Sequence, residues 1–237
     1  MAASEGNKQA DTDNQASKIV LTAAIIIGLT HTASWSADIG DPIRLTWRFA
    51  SVGLLALYAM LNARNTDGWL LTAVMFISAC SDILLVIVGQ AVGAMTFIVA
   101  DFFAIALYCR NLRPNLSWGW YAGVGAFVAS ISALSYLLPN NRDDAILVAA
   151  FVVPLATMAA LTFLTRFQPF LVGLGAMMVL GSDMLIFGRM GPLQGMSGLS
   201  ETIWLCYFVG EVLVAFGVTR GLMAAPTAKP ASLRTSD

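Results

Sequence analysis

The run from Trp69 to Gly89, WLLTAVMFISACSDILLVIVG, decides the fold. As an α-helix at 1.5 Å rise per residue it reaches about 30 Å, the thickness of a bilayer's hydrocarbon core. A single charged residue, Asp82, interrupts it. A carboxylate at the centre of a membrane span costs about 2.5–3.5 kcal/mol on insertion scales, so its presence requires a partner or a task.

Outward from this run, comparable apolar segments recur over 18–38, 43–63, 92–109, 117–138, 144–166, 169–188 and 200–221. The breaks between them carry turn and charge signals, such as Asp38-Ile-Gly-Asp-Pro42, Asn62 to Gly68 and Pro139 to Asp144. The break at Gly89-Gln90-Ala91-Val92-Gly93 is the least polar. The expected architecture is all-α: a polytopic membrane helical bundle of about eight transmembrane helices, forming one domain over 18–222. Residues 1–17 are polar and lack the apolar core of a signal peptide. They and 223–237 are expected to be disordered tails.

Composition agrees and excludes several functions. Of 237 residues 58% are hydrophobic and 11% charged, with mean hydropathy +0.75, whereas soluble domains carry roughly a quarter charged residues. A net charge of -1 excludes a basic nucleic-acid surface. Cys80, Cys109 and Cys206 all fall in apolar runs, so neither a disulfide framework nor a zinc site is legible. The single histidine, His31, cannot build a haem pair or a histidine metal cluster, and the lysines Lys8, Lys18 and Lys229 lie in tails or at a span end, so none offers a retinal Schiff base. No cofactor and no metal is expected.

With an even number of spans both tails share one side. That side would hold Lys8, Lys18, Arg64, Arg110, Arg113, Arg166, Arg220, Lys229 and Arg234, against Arg44, Arg48, Arg142 and Arg189 on the other. The bias places both termini in the cytoplasm.

Ten of the 14 acids lie in tails or loops; Asp82, Asp101, Asp183 and Glu211 lie inside spans. Ser81-Asp82-Ile83-Leu84-Leu85 is echoed by Ser182-Asp183-Met184-Leu185-Ile186, and Asp101 one span later by Glu211. Such an echo suggests a parallel repeat of four helices plus four, a pattern also found in transporters. Asp82 lies seven residues from Gly89, roughly 10 Å below the face opposite the tails. Asp183, His31 and Arg48 fall at similar depth, with Asp101 and Glu211 nearer the midplane. Arg48 and His31 are the only basic groups within spans. Trp204, Tyr207 and Glu211 share one helix face, as do His31 and Trp35. These residues are candidates for one polar site with aromatic walls, and Ser81 and Ser182 are candidate hydrogen-bond donors within the bundle.

Burial disfavours the charged form of a carboxyl, and neighbouring carboxyls drive each other's titrations apart, leaving one as acid and one as base. That pair suits hydrolysis of an acid-labile bond through an oxocarbenium-like cation, and in a membrane the natural acid-labile bond is a lipid ether. The same acids would also serve a small proton- or cation-coupled transporter.

The segment Ser78-Ala-Cys-Ser-Asp-Ile-Leu-Leu85 followed by Phe97 to Tyr108, and Gly181-Ser-Asp-Met-Leu-Ile186 followed by Tyr207-Phe-Val-Gly-Glu-Val-Leu213, resembles the YhhN family of lysoplasmalogenase-like integral membrane hydrolases. The likeness runs over most of residues 40–221. It implies about eight spans in a bacterial inner (cell) membrane and a lysophospholipid-like substrate. The implied reaction cleaves the vinyl ether of lysoplasmalogens to a fatty aldehyde and a glycerophospho head group. Asp82 and Asp183 map onto the family's aspartates and inherit the acid and base roles. Arg48, His31, Asp101, Trp204, Tyr207 and Glu211 are then expected to bind or orient substrate. Three of these depart from the family pattern: Asp101 stands where histidine is common, Glu211 where glutamine is, and Arg48 where lysine is usual.

Overall fold

A computed structural model describes residues 2–37 and 39–224, with side chains from Asn14 onward. Among the described residues the chain forms eight α-helices and no β-sheet: α1 Ala2–Thr30, α2 Asp41–Leu61, α3 Thr66–Ile87, α4 Gln90–Arg110, α5 Trp118–Leu137, α6 Arg142–Thr162, α7 Leu174–Arg189 and α8 Leu199–Ala224. A 3-10 turn, His31–Trp35, prolongs α1, and a π-helical turn, Pro169–Gly173, leads into α7. The polytopic helical bundle expected from the apolar runs is the fold, and most boundaries fall within a few residues of those runs. At the N-terminus the helix starts at Ala2 and continues through the polar residues expected to form a tail. Beyond Ala224 the expected C-terminal tail lies outside the described residues.

Among the described residues seven segments are long and apolar enough to cross a membrane, beginning with Asn14–Trp35. The exception is α2, which has the length but carries Asp41, Arg44 and Arg48. It packs between α1 and α3 and against α8, which turns Arg48 inward.

The weakly polar break between α3 and α4 is closed by backbone geometry. Gly89 takes φ 127°, open to glycine and strained for other residues. The chain then doubles back so tightly that a Cβ on Gly93 would lie 2.7 Å from the Leu85 backbone. The hairpin of α7 and α8 is equally close: a Cβ on Gly175 would sit 2.7 Å from the Gly210 carbonyl oxygen, and the reverse holds for Gly210. Small residues thus let backbones approach where lipid offers no hydrophobic drive to hold helices together.

Packing is nearly symmetric under exchange of α1–α4 with α5–α8. The neighbours α1 with α2, α2 with α3 and α3 with α4 match α5 with α6, α6 with α7 and α7 with α8, and α2 against α8 matches α4 against α6. The packing of α8 on α1 and α3 has no counterpart. Consequently α8 is the central helix, 61% buried, while α5 rests on α6 with 6% of its span buried and presents its surface to lipid.

Candidate functional site

The aspartates on α3 and α7 and the acids on α4 and α8 sit on the two close hairpins, and the near-symmetric packing turns all four toward one space. Asp82, Asp101, Asp183 and Glu211 line a single cavity of about 640 Å³ between α2, α3, α4, α6, α7 and α8. Its mouth, marked by Gln90, Asp144, Arg189 and Ser200, lies at the helix ends opposite the termini. Its floor, marked by Val74, Tyr108, Met158 and Val214, lies deep in the bundle. From Gln90 to Tyr108 along α4 the cavity wall covers about 27 Å at 1.5 Å per residue. The lining is mostly apolar, with the carboxyls in the middle third.

The two matched aspartates differ. Asp82 is fully buried, at 0% exposure. Arg48 Nη2 lies 2.6 Å from its Oδ1, and the Tyr207 hydroxyl donates to its Oδ2 at 3.0 Å. An ion pair of this length, reinforced by a hydroxyl on the other oxygen, fixes the Asp82 carboxyl in one orientation. Asp183 has no hydrogen bond and no ion pair among the described residues, and its carboxyl is half-buried toward the cavity. The reason lies in the symmetry of the packing. Helix α2 supplies Arg48 to α3, but α6, which holds the equivalent place beside α7, is uncharged after Asp144. The charges of Asp82 and Asp183 lie within interaction range of each other. Asp101 is buried with Oδ2 unpartnered, and Glu211 is buried beside Ser78.

A chain of aromatic contacts fixes Arg48. Its guanidinium lies 5.3 Å from the centroid of the Trp204 ring, a cation–π arrangement. Trp204 donates its indole N–H to the Gly28 carbonyl at 2.8 Å and stacks on Phe208 at 5.6 Å. His31 meets the Trp204 ring edge-on at 4.6 Å and Trp35 at 4.9 Å.

Of the residues expected at the site, Asp82, Asp183, Arg48, Asp101, Trp204, Tyr207 and Glu211 come together around one cavity. His31 does not. At 2% exposure it lies behind Trp204, outside the lining, because Trp204 is drawn across it toward Gly28. Ser81 and Ser182, candidate donors between helices, instead donate to carbonyls of their own helices, to Ile77 and Val179, each at 2.7 Å. That local bond is the cheapest way to satisfy a hydroxyl within a span. Among the described residues no group of three histidines, cysteines or carboxylates is placed to hold a metal.

Sequence reasoning missed the mouth residues Asp144, Arg189 and Ser200 and the floor residue Tyr108. The charged ones read as loop charges, and no periodicity distinguishes an arginine that rims a cavity from one in water.

No curated protein and no solved structure is similar enough to this chain to match it. One family model does match, over residues 43–218, from the start of α2 to the last turns of α8, and it contains both aspartate motifs and every lining residue of the cavity except Trp35. By that match the chain belongs to the YhhN family.

Proposed function

We propose that this chain is a membrane-embedded lipid hydrolase that cleaves the vinyl ether of lysoplasmalogens, yielding a fatty aldehyde and a glycerophospho head group. The observation that carries the reading is the asymmetry of the matched aspartates. One carboxylate is held by Arg48 and Tyr207, and one carboxyl faces the same cavity without a partner. Membership of the YhhN family is consistent with a membrane hydrolase.

That asymmetry supports the following roles. Asp183 donates its proton to the vinyl carbon β to the ether oxygen, and the oxocarbenium ion forms at the adjacent carbon. The Asp82 carboxylate, fixed within interaction range, stabilises that cation electrostatically. Water then adds to the cationic carbon and returns a proton to Asp183, which regenerates the acid. The resulting hemiacetal breaks its bond to the glycerol oxygen, giving aldehyde and alcohol with one water consumed. Asp101 and Glu211, which line the same cavity, hydrogen-bond the attacking water in this reading. Arg48, Tyr207 and Trp204 act by holding Asp82, and His31 acts behind them rather than on substrate.

The test is aldehyde release from lysoplasmenylethanolamine by the purified protein in detergent or nanodiscs, with Asp82→Asn and Asp183→Asn alongside. A general acid contributes about 10²–10⁴-fold, so release should fall by at least a hundredfold in Asp183→Asn. Wild-type rates from both variants would overturn the assignment. pH-driven flux in liposomes without aldehyde would replace it by a transporter.

A further inference from the structure

The mouth of the cavity carries chemistry that the four acids do not use. Arg189, the last residue of α7, and Asp144, in the first turn of α6, both line it. Although opposite in charge, they form no ion pair. Arg189 Nη1 donates to Ser200 Oγ at 3.2 Å, and Asp144 Oδ2 accepts from Asn141 Nδ2 at 3.1 Å. The same rim is apolar and exposed at Val86, Leu147 and Met190. Arg48, the other cation lining the cavity, is engaged by Asp82. An anionic group arriving at the mouth therefore meets Arg189.

A rim that combines two separated opposite charges with exposed apolar side chains suits an amphiphile whose polar end is itself zwitterionic. A free ion would leave the apolar rim unused, and a neutral lipid would leave both charges unanswered. Depth also fits. Asp183 precedes Arg189 by six residues on α7, about 9 Å along the helix axis. With the reach of the arginine side chain, a three-carbon backbone and its phosphate bridge that gap.

We propose that Arg189 and Asp144 form a head-group clamp for a phospho-amine lysolipid, with Arg189 on the phosphate and Asp144 on the ammonium. The chain then runs down the cavity past Asp183 toward Tyr108. This inference rests on reading the cavity as a lysolipid site, and it names the residues that select the head group.

The test measures binding to the full chain in nanodiscs by tryptophan fluorescence. Its probes are saturated 1-alkyl lysolipids, which have no vinyl ether to cleave. One carries phosphoethanolamine, one a bare phosphate, and one is the alkylglycerol without phosphate. Hydrogen bonds to charged groups imply about a tenfold preference for the phosphoethanolamine lipid over alkylglycerol. Arg189→Ala should lower that ratio to the part Asp144 supplies and bring the preference for bare phosphate over alkylglycerol close to one, and Arg189→Lys should retain part of both. Asp144→Asn should abolish the preference for phosphoethanolamine over bare phosphate and leave the preference for phosphate intact. Both side chains sit at the rim, so neither change threatens the fold. Unchanged ratios in Arg189→Ala or Asp144→Asn would overturn the clamp. Displacement of the lipid by inorganic phosphate at matched concentration would also overturn it, assigning the site to a free anion. Head-group discrimination without aldehyde release from a vinyl-ether lipid would sustain the clamp and remove the hydrolase. Aldehyde release with an unchanged Arg189→Ala ratio would do the reverse.

Discussion

Replacing Arg48 by Met tests whether the buried ion pair organises the site. Asp82 is fully buried, so removing the guanidinium 2.6 Å away leaves a carboxylate with only the Tyr207 hydroxyl to answer it. Breaking a buried pair from one side costs about 3–5 kcal/mol. The Arg48 side chain keeps 30% of its surface exposed, so solvent screens part of that loss and a cost at or just below the bottom of that range, about 2–3 kcal/mol, is expected. The change also removes the cation from the Trp204 face, at about 0.5–1 kcal/mol. The decisive measurement is a double-mutant cycle with Asp82→Asn, read by thermal unfolding in a fixed detergent. If the pair is real, Arg48→Met should cost far less in the Asp82→Asn background, with a coupling of about 1.5 kcal/mol or more. Equal destabilisation in both backgrounds would refute the pairing and leave Arg48 as a packing residue.

The two aspartates should separate in stability as well as chemistry: Asp82→Asn loses its ion pair and melts earlier, whereas Asp183→Asn, losing no partner, changes unfolding by less than about 1 kcal/mol while abolishing aldehyde release. His31→Ala should open a gap behind Trp204 and lower turnover several-fold with little change in KM. His31→Phe should restore turnover, which would distinguish a packing role from substrate contact. Gly210→Ala places a methyl against the Gly175 carbonyl oxygen and should destabilise by about 1–3 kcal/mol, whereas Gly125→Ala on lipid-facing α5 meets open space and should stabilise by about 0.5–1 kcal/mol in thermal unfolding.

Much of this arrangement was legible because a membrane simplifies the code. Within the hydrocarbon every span must be a complete helix, so apolar run lengths set the boundaries of α3 to α8 closely. The acids could be named as a site because each is too costly to place without reason. Even the least polar break held, through the conformation of Gly89. What stayed hidden depends on contacts far apart in sequence. Trp204 finds the Gly28 carbonyl 176 residues away, and that bond decides that His31 lies behind an indole instead of beside a ligand. No local periodicity encodes which helix face meets which neighbour. The inequality of Asp82 and Asp183 was hidden for the same reason, since the echoed motifs look equivalent until α2 and α6 are laid beside them.

The marginal apolarity of α2 bears on how the chain enters the membrane. Arg48 alone costs about 2.5–3.5 kcal/mol at a span centre, and α2 also brings Asp41 and Arg44. Its counter-charge is synthesised 34 residues later, at Asp82 in a strongly apolar span. Helix α2 is therefore poorly suited to leave the translocon on its own. It is best delivered to lipid together with α3, as a hairpin whose charges have already met. The bond that holds the Asp82 carboxyl in the mature protein is then also the one that admits its partner helix to the bilayer.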